Sequence, residues 1–362
     1  AALMGIYLFV VGFTYQLALP GRKLTFPADH YSHPAFKTEW WYYTGHLETD
    51  SGKKYGYQVT FFRFGVRDRQ TESKDPPLFT DLYMAHFALS DIAAKKFIFR
   101  ERINRGIAGK AGGRGYGDKA GAAVDRYLVW NEDWKVVGDE RNHLIQVNDR
   151  GTRLRLSLKA VKAPSLHGEN GLSQKGEGEG RASYYYSLTR MQAEGELAID
   201  GKNEKVRGLS WMDHEFGSNQ LGEDQVGWDW FSIQLDNNTE LMLYLMRRKD
   251  GSVDPYSSGT LVSANGATKP INLRDYRVEV LDRWKSQKSG ANYPMKWKVT
   301  IPSEEIELDI LPAFHDQELI TNRSTRVTYW EGAVGIKGKF RNKPVTGDGY
   351  VEMTGYAGKL NI

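Results

Sequence analysis

The densest group of side chains able to move a proton is the run Leu209-Ser210-Trp211-Met212-Asp213-His214-Glu215-Phe216. Its residue types suit a strand, and on a strand successive side chains point to opposite faces. Trp211, Asp213 and Glu215 then share one face, and Met212, His214 and Phe216 the other. At ~3.3 Å per residue, positions two apart stand ~7 Å from each other. Two carboxyls that close, beside an indole, push one pKa up and leave a general acid. The competing reading is a solvated strand end whose carboxylates hold a turn or pair with Arg207. His214 could pass a proton, although a lone histidine is more often a satisfied structural residue.

His33, Glu39, His46 and His86 are the other early polar candidates. His86 falls on the same face as Met84 and Ala88, and a polar group on an apolar face is either paired or functional. No His-x-x-x-His or His-Glu-x-x-His helix is present, so no metal is expected. No Gly-x-Ser-x-Gly elbow is present either, which weakens a serine hydrolase. With zero Cys, disulfides, thiol nucleophiles and Cys-held clusters are excluded.

Aromatics supply a second kind of site. Trp228 and Trp230 share a face with Ser232 and Gln234, and Tyr244 shares one with Met242 and Met246. If the opposite faces fill a core, a barrel interior lined by Trp, Tyr and Met suits an elongated apolar ligand. The bland alternative is ordinary core aromatics.

The elements that must hold these groups read as strands. Tyr55–Phe64, Leu82–Leu89, Arg153–Leu158, Tyr184–Thr189, Trp228–Leu235, Leu241–Met246, Trp297–Ile301 and Ile306–Ile310 are short runs rich in strand formers. Asp50-Ser51-Gly52, Asp236-Asn237-Asn238 and Asp250-Gly251 read as hairpin turns. Two stretches, 106–121 and 167–181, read as loops; neither has the glycine spacing of a phosphate cradle. Trp40-Trp41-Tyr42-Tyr43-Thr44-Gly45-His46-Leu47 can be laid over Trp228-Asp229-Trp230-Phe231-Ser232-Ile233-Gln234-Leu235, with Trp on Trp and Leu on Leu. Such a repeat implies two similar β-units in tandem. The 362 residues agree, at roughly 150 per domain.

The net charge of +4 is scattered, so no nucleic-acid footprint is expected. Residues 3–19 are almost uncharged and mostly apolar, ending at Pro20-Gly21. They read as an export signal or an uncleaved anchor, with association to a membrane surface as a consequence; a buried first strand or helix is the alternative. The expected organisation is a signal or anchor over 1–22, one domain over 23–221 and a second over 222–362.

The run from His33 to Gly45 (His-Pro-Ala-Phe-Lys-Thr-Glu-Trp-Trp-Tyr-Tyr-Thr-Gly) resembles the N-terminal signature of the AttH/CrtC-like lipocalin family, which includes carotenoid hydratases. Tyr83–His86, Ala182–Arg190, Trp211–Phe216, Gly227–Phe231, Tyr329-Trp330-Glu331-Gly332 and Gly349–Tyr356 fit it in order, over about residues 24 to 357. The resemblance implies an all-β chain of two tandem lipocalin-like (calycin) antiparallel barrels, exported to the periplasm, envelope or medium. It implies an isoprenoid or lipid ligand and no cofactor. In the hydratases, water adds across a terminal isoprenoid double bond, which needs an acid, aromatic faces for a carbocation and a delivered water. Asp213, His214, Glu215 and Tyr244 are the tentative catalytic residues; Trp41, Tyr43, His86, Trp211, Trp228 and Trp230 are expected to touch ligand. Two departures weigh against a standard carotenoid hydratase. The strand Leu241–Arg247 keeps Tyr244 but has no acid, and His214-Glu215-Phe216 replaces the expected His-x-Trp. The first expectation is therefore a binding protein for a lipophilic molecule. The alternatives are a hydro-lyase or, less favoured, a hydrolase, and an envelope protein with a vestigial site.

Overall fold

A computed structural model describes residues 15–66, 80–106 and 119–358. Most of the apolar segment 3–19 and of the loop 106–121 lies outside these residues. Among the described residues, no helix is long and apolar enough to cross a membrane.

The chain forms two large antiparallel sheets. The first takes strands from Thr38–Thr49 to Lys202–Gly217, and the second takes strands from Gln225–Leu235 to Lys343–Met353. In each, the opening strand pairs with the closing one: Thr38–Thr49 lies beside Lys202–Gly217, and Gln225–Leu235 beside Lys343–Met353. The two Trp-led repeats thus occupy equivalent places. The first sheet curls into a nearly closed barrel and the second into a half-barrel, in keeping with the expected all-β chain of two tandem antiparallel units.

Burial shows where the sheets meet. Thr152–Ala160 of the first sheet alternates strictly between buried and exposed residues. Thr38–Thr49 is buried on nearly every residue, because one face fills the barrel and the other meets the second sheet. Trp41, Tyr43, Tyr57, Val59 and Phe87 belong to the first barrel's core, and Phe231, Ile233, Leu243, Trp297 and Trp330 to the second sheet's core. Tyr42, Tyr185, Trp211, Trp230, Met242 and Tyr244 form a third cluster in the seam. Close approach there requires Gly56, since a Cβ would lie 2.6 Å from both the Ala333 Cβ and the Tyr350 hydroxyl.

One end of the seam is clamped by charge. Glu240, fully buried on the second sheet, receives Lys162 Nζ at 2.5 Å and Arg190 Nε at 2.5 Å from the first. Residues leading into the first strand also dock: Ala18 packs with Phe36, Tyr184 and Phe216, and the Tyr184 hydroxyl donates to Leu19 O at 2.7 Å. Glu240→Ala leaves two buried cations with carbonyl partners but no counter-charge, so a loss of about 3–5 kcal/mol is expected in urea unfolding. A loss under about 1 kcal/mol would show that the clamp does not hold the sheets.

Candidate functional site

Facing side chains of the two sheets enclose a cavity of about 240 Å³. It lies between the sheets; the barrel interior expected to hold ligand is filled by core side chains. Trp40, Tyr42, Thr60 and Phe62 form one wall, and Trp228, Trp230, Tyr244 and Met246 the other. Residues 218–221, which link the sheets, close one side.

Four carboxyl groups line this cavity: Asp213, Glu215, Glu331 and Glu352. Pairing sets their positions. Asp213 lies opposite Tyr42 and Glu215 opposite Trp40, so both project from the first sheet toward the second. Glu331 and Glu352 face each other across paired strands, with Trp230 next in line. Like charges directly opposite repel, and burial sharpens the repulsion.

Each acid has a distinct environment. Asp213 Oδ2 accepts from the Tyr185 hydroxyl at 2.6 Å, and its Oδ1 accepts from Trp211 Nε1 at 2.5 Å and from Ser187 Oγ. Burial nevertheless pushes its pKa up to about 7 against those three bonds, and the Glu215 charge adds to the rise. Glu352 accepts from Trp228 Nε1 at 3.1 Å; burial lifts it to about 7, helped by Asp213 and Glu215. Glu331 is 1% exposed, and neither of its oxygens has a well-formed hydrogen bond. Burial, then the Glu352 charge, holds it well above the usual carboxylate range; the nearby Tyr42 hydroxyl opposes this only in part.

Glu215 is matched differently. Its Oε1 accepts from Ser183 Oγ and pairs with Lys175 Nζ at 3.3 Å. Lys175 is buried over the Tyr244 ring at 4.1 Å and the Tyr185 ring at 5.0 Å. Burial disfavours its charge, but Glu215 and the surrounding groups outweigh that and raise its pKa. The stretch 167–181, read from composition as a plain connection, is what delivers this lysine.

The expected site residues divide between the two faces. Asp213, Glu215, Tyr244, Trp228 and Trp230 line the cavity. Trp211 stands behind Asp213 and orients it. His86 bonds the Tyr329 hydroxyl and Ser324 Oγ at 2.7 Å each, and so positions Tyr329, which does line the cavity. Trp41, Tyr43 and His214 do not reach it: they point into the first barrel, on the opposite face of the same strands. There Tyr43 bonds His143 Nδ1 at 2.8 Å, and His214 stacks on Trp41 at 4.9 Å.

His214 belongs to a separate ionic cluster. His33, Glu39 and His214 place possible ligand atoms within 4.8 Å of one another. Glu39 already accepts from His33, His214, Ser32 and Arg63. Sequence reasoning missed Glu331, Glu352 and Lys175 as site residues. The available signal was an acid alternating with tyrosine in Tyr329-x-Glu331 and Tyr350-x-Glu352.

A model of a family described as AttH-like matches residues 17–356. The chain belongs to the AttH-like family. The crystal structure of a Nitrosomonas europaea protein described as an AttH has 34% identity and a TM-score of 0.82, covering 94% of this chain and 99% of that one. Kievitone hydratase from Nectria haematococca shares the fold at 14% identity and a TM-score of 0.65, covering 95% of this chain and 96% of that one. The dehydratase asqC of Emericella nidulans is 22% identical over 205 residues, 55% of this chain and 57% of its own length. The chain thus spans under two thirds of that relative.

The raised acids make stability fall with pH. In the native AttH-like chain Asp213 keeps its proton up to about 7, whereas unfolded it loses it near the ordinary 3.8. Between those values the native state binds more protons, so this contribution is full below about pH 4 and is lost toward pH 7. The stability of the wild type relative to Asp213→Asn should therefore decline from pH 4.5 to pH 7.5 in urea titrations. A difference that stays flat would show that Asp213 ionises normally in the fold.

Proposed function

We propose that this AttH-like protein is a hydro-lyase-type enzyme that adds or removes water on a hydrophobic small molecule held between its two sheets. The observation that carries this reading is the pair Asp213 and Glu352, both held near 7 in one aromatic-lined cavity. At neutral pH a state with one carboxyl protonated and the other ionised is then well populated, which is what paired acid and base catalysis requires.

In the dehydrating direction, one carboxyl donates its proton to the substrate hydroxyl and the C–O bond breaks, releasing water. The other takes a proton from the adjacent carbon as the C=C bond forms. The two carboxyls end with their protons exchanged and reset through water. Trp40, Trp228 and Trp230 offer π-faces to positive charge developing on carbon. The names of the related hydratase and dehydratase support this direction over passive binding. Export remains part of the proposal, supported by the apolar run 3–19.

The test has two stages. Native mass spectrometry with solvent extraction identifies molecules that copurify, and these, with a panel of allylic and tertiary alcohols, are assayed for gain or loss of water. Asp213→Asn and Glu352→Gln should each lower turnover by about 10²-fold or more while ligand still binds. Unchanged turnover in both variants would sink the acid–base assignment. Tight binding with no turnover in the wild type would return the protein to the carrier class.

A further inference from the structure

The cavity holds more carboxyls than cations. Four carboxyls line it, and among the described residues its only buried ammonium is Lys175, which is matched to Glu215. That pairing also shows how this cavity holds an ammonium: a carboxylate on one side and the Tyr244 and Tyr185 rings on the other, at 4.1 and 5.0 Å.

The same ingredients recur around Glu331 and Glu352, without a cation. Trp230 is the strand neighbour of Glu352, and Trp228 donates its indole N–H to it. Tyr42 meets Trp230 edge to face at 5.2 Å, and Tyr329 lies two positions before Glu331 on the same face. Both Glu331 oxygens are buried and lack a well-formed bond. An unpartnered buried carboxyl costs stability unless something completes it. An aromatic enclosure with a carboxylate is the chemistry that selects organic ammonium ions.

We propose that the Glu331–Glu352 end of the cavity recognises an ammonium group, so that the substrate is a hydrophobic molecule carrying a basic nitrogen. This rests on the hydro-lyase reading, because it takes the same cavity as the substrate site. The nitrogen would lie among Trp228, Trp230 and Tyr42, and its charge would favour the ionised forms of the two glutamates.

The probe pair is benzyltrimethylammonium and neopentylbenzene, which share a shape and differ in a charged nitrogen for a quaternary carbon. Isothermal titration calorimetry on the full chain should show the ammonium bound at least about tenfold more tightly. Glu331→Gln, which leaves the catalytic Glu352 in place, should bring the two within about threefold, with the circular dichroism spectrum unchanged. The wild-type comparison stands even if that variant fails to fold. Equal or tighter binding of the neutral molecule overturns the ammonium proposal, and so does binding of neither. Either result leaves the lyase reading to its own test, the turnover of Asp213→Asn and Glu352→Gln.

Discussion

A strand has two faces, and in this protein the strands at the centre of both sheets have both faces covered. One face fills a barrel or half-barrel; the other meets the partner sheet. Everything at the site follows from that double burial. A carboxyl on the seam face of Thr38–Thr49 or its neighbours would be an ordinary solvated acid if the second sheet were absent. With the sheet in place it loses its water, and the group must find a cation, find donors or keep its proton. Asp213, Glu352 and Glu331 keep their protons to differing degrees because burial outweighs the donors they have and the cavity's buried lysine is committed to Glu215.

Much of the fold was legible because period-two patterning is local. The strand runs around Tyr55–Phe64, Leu82–Leu89 and Leu241–Met246 fall within Lys54–Gly65, Asp81–Asp91 and Glu240–Arg248. The repeat was legible too, since equivalent strands in equivalent sheets meet the same packing demands: Trp40 and Trp228 both point into the cavity. Alternation likewise placed Asp213 and Glu215 on one face, which the structure bears out.

The rest was hidden for a physical reason. When both faces of a strand are apolar, alternation separates the faces but does not say which one meets the cavity. Trp41 and Tyr43 therefore looked as suitable as Trp40 and Tyr42, and His214 as suitable as Asp213, although each pair divides between barrel core and seam. Glu331 and Glu352 reach Asp213 only through strand pairing and sheet packing that span more than a hundred residues of sequence. Lys175 arrives from a segment whose glycines suggested nothing but a connection.

Burial alone does not decide whether a carboxyl in this protein keeps its proton. Glu39 is as deeply buried as any acid in the seam, yet it is held well below the usual carboxylate range, because His214, His33 and Arg63 together outweigh its burial. Arg63 spans from Glu39 to Asp81 and also donates to the carbonyls of His33 and Phe36, so every group in that cluster is held by a partner where it stands. Such a group is ionised, saturated and fixed, and is suited to tying the entering chain to the barrel. Asp213, Glu331 and Glu352 share the burial but lack a matching cation. A carboxyl can exchange a proton near neutrality only if its environment stops short of satisfying the charged form. The proposed chemistry therefore needs the incomplete pairing of Asp213, Glu331 and Glu352, while the clamp at Glu240 and the close approach at Gly56 join the two sheets around them.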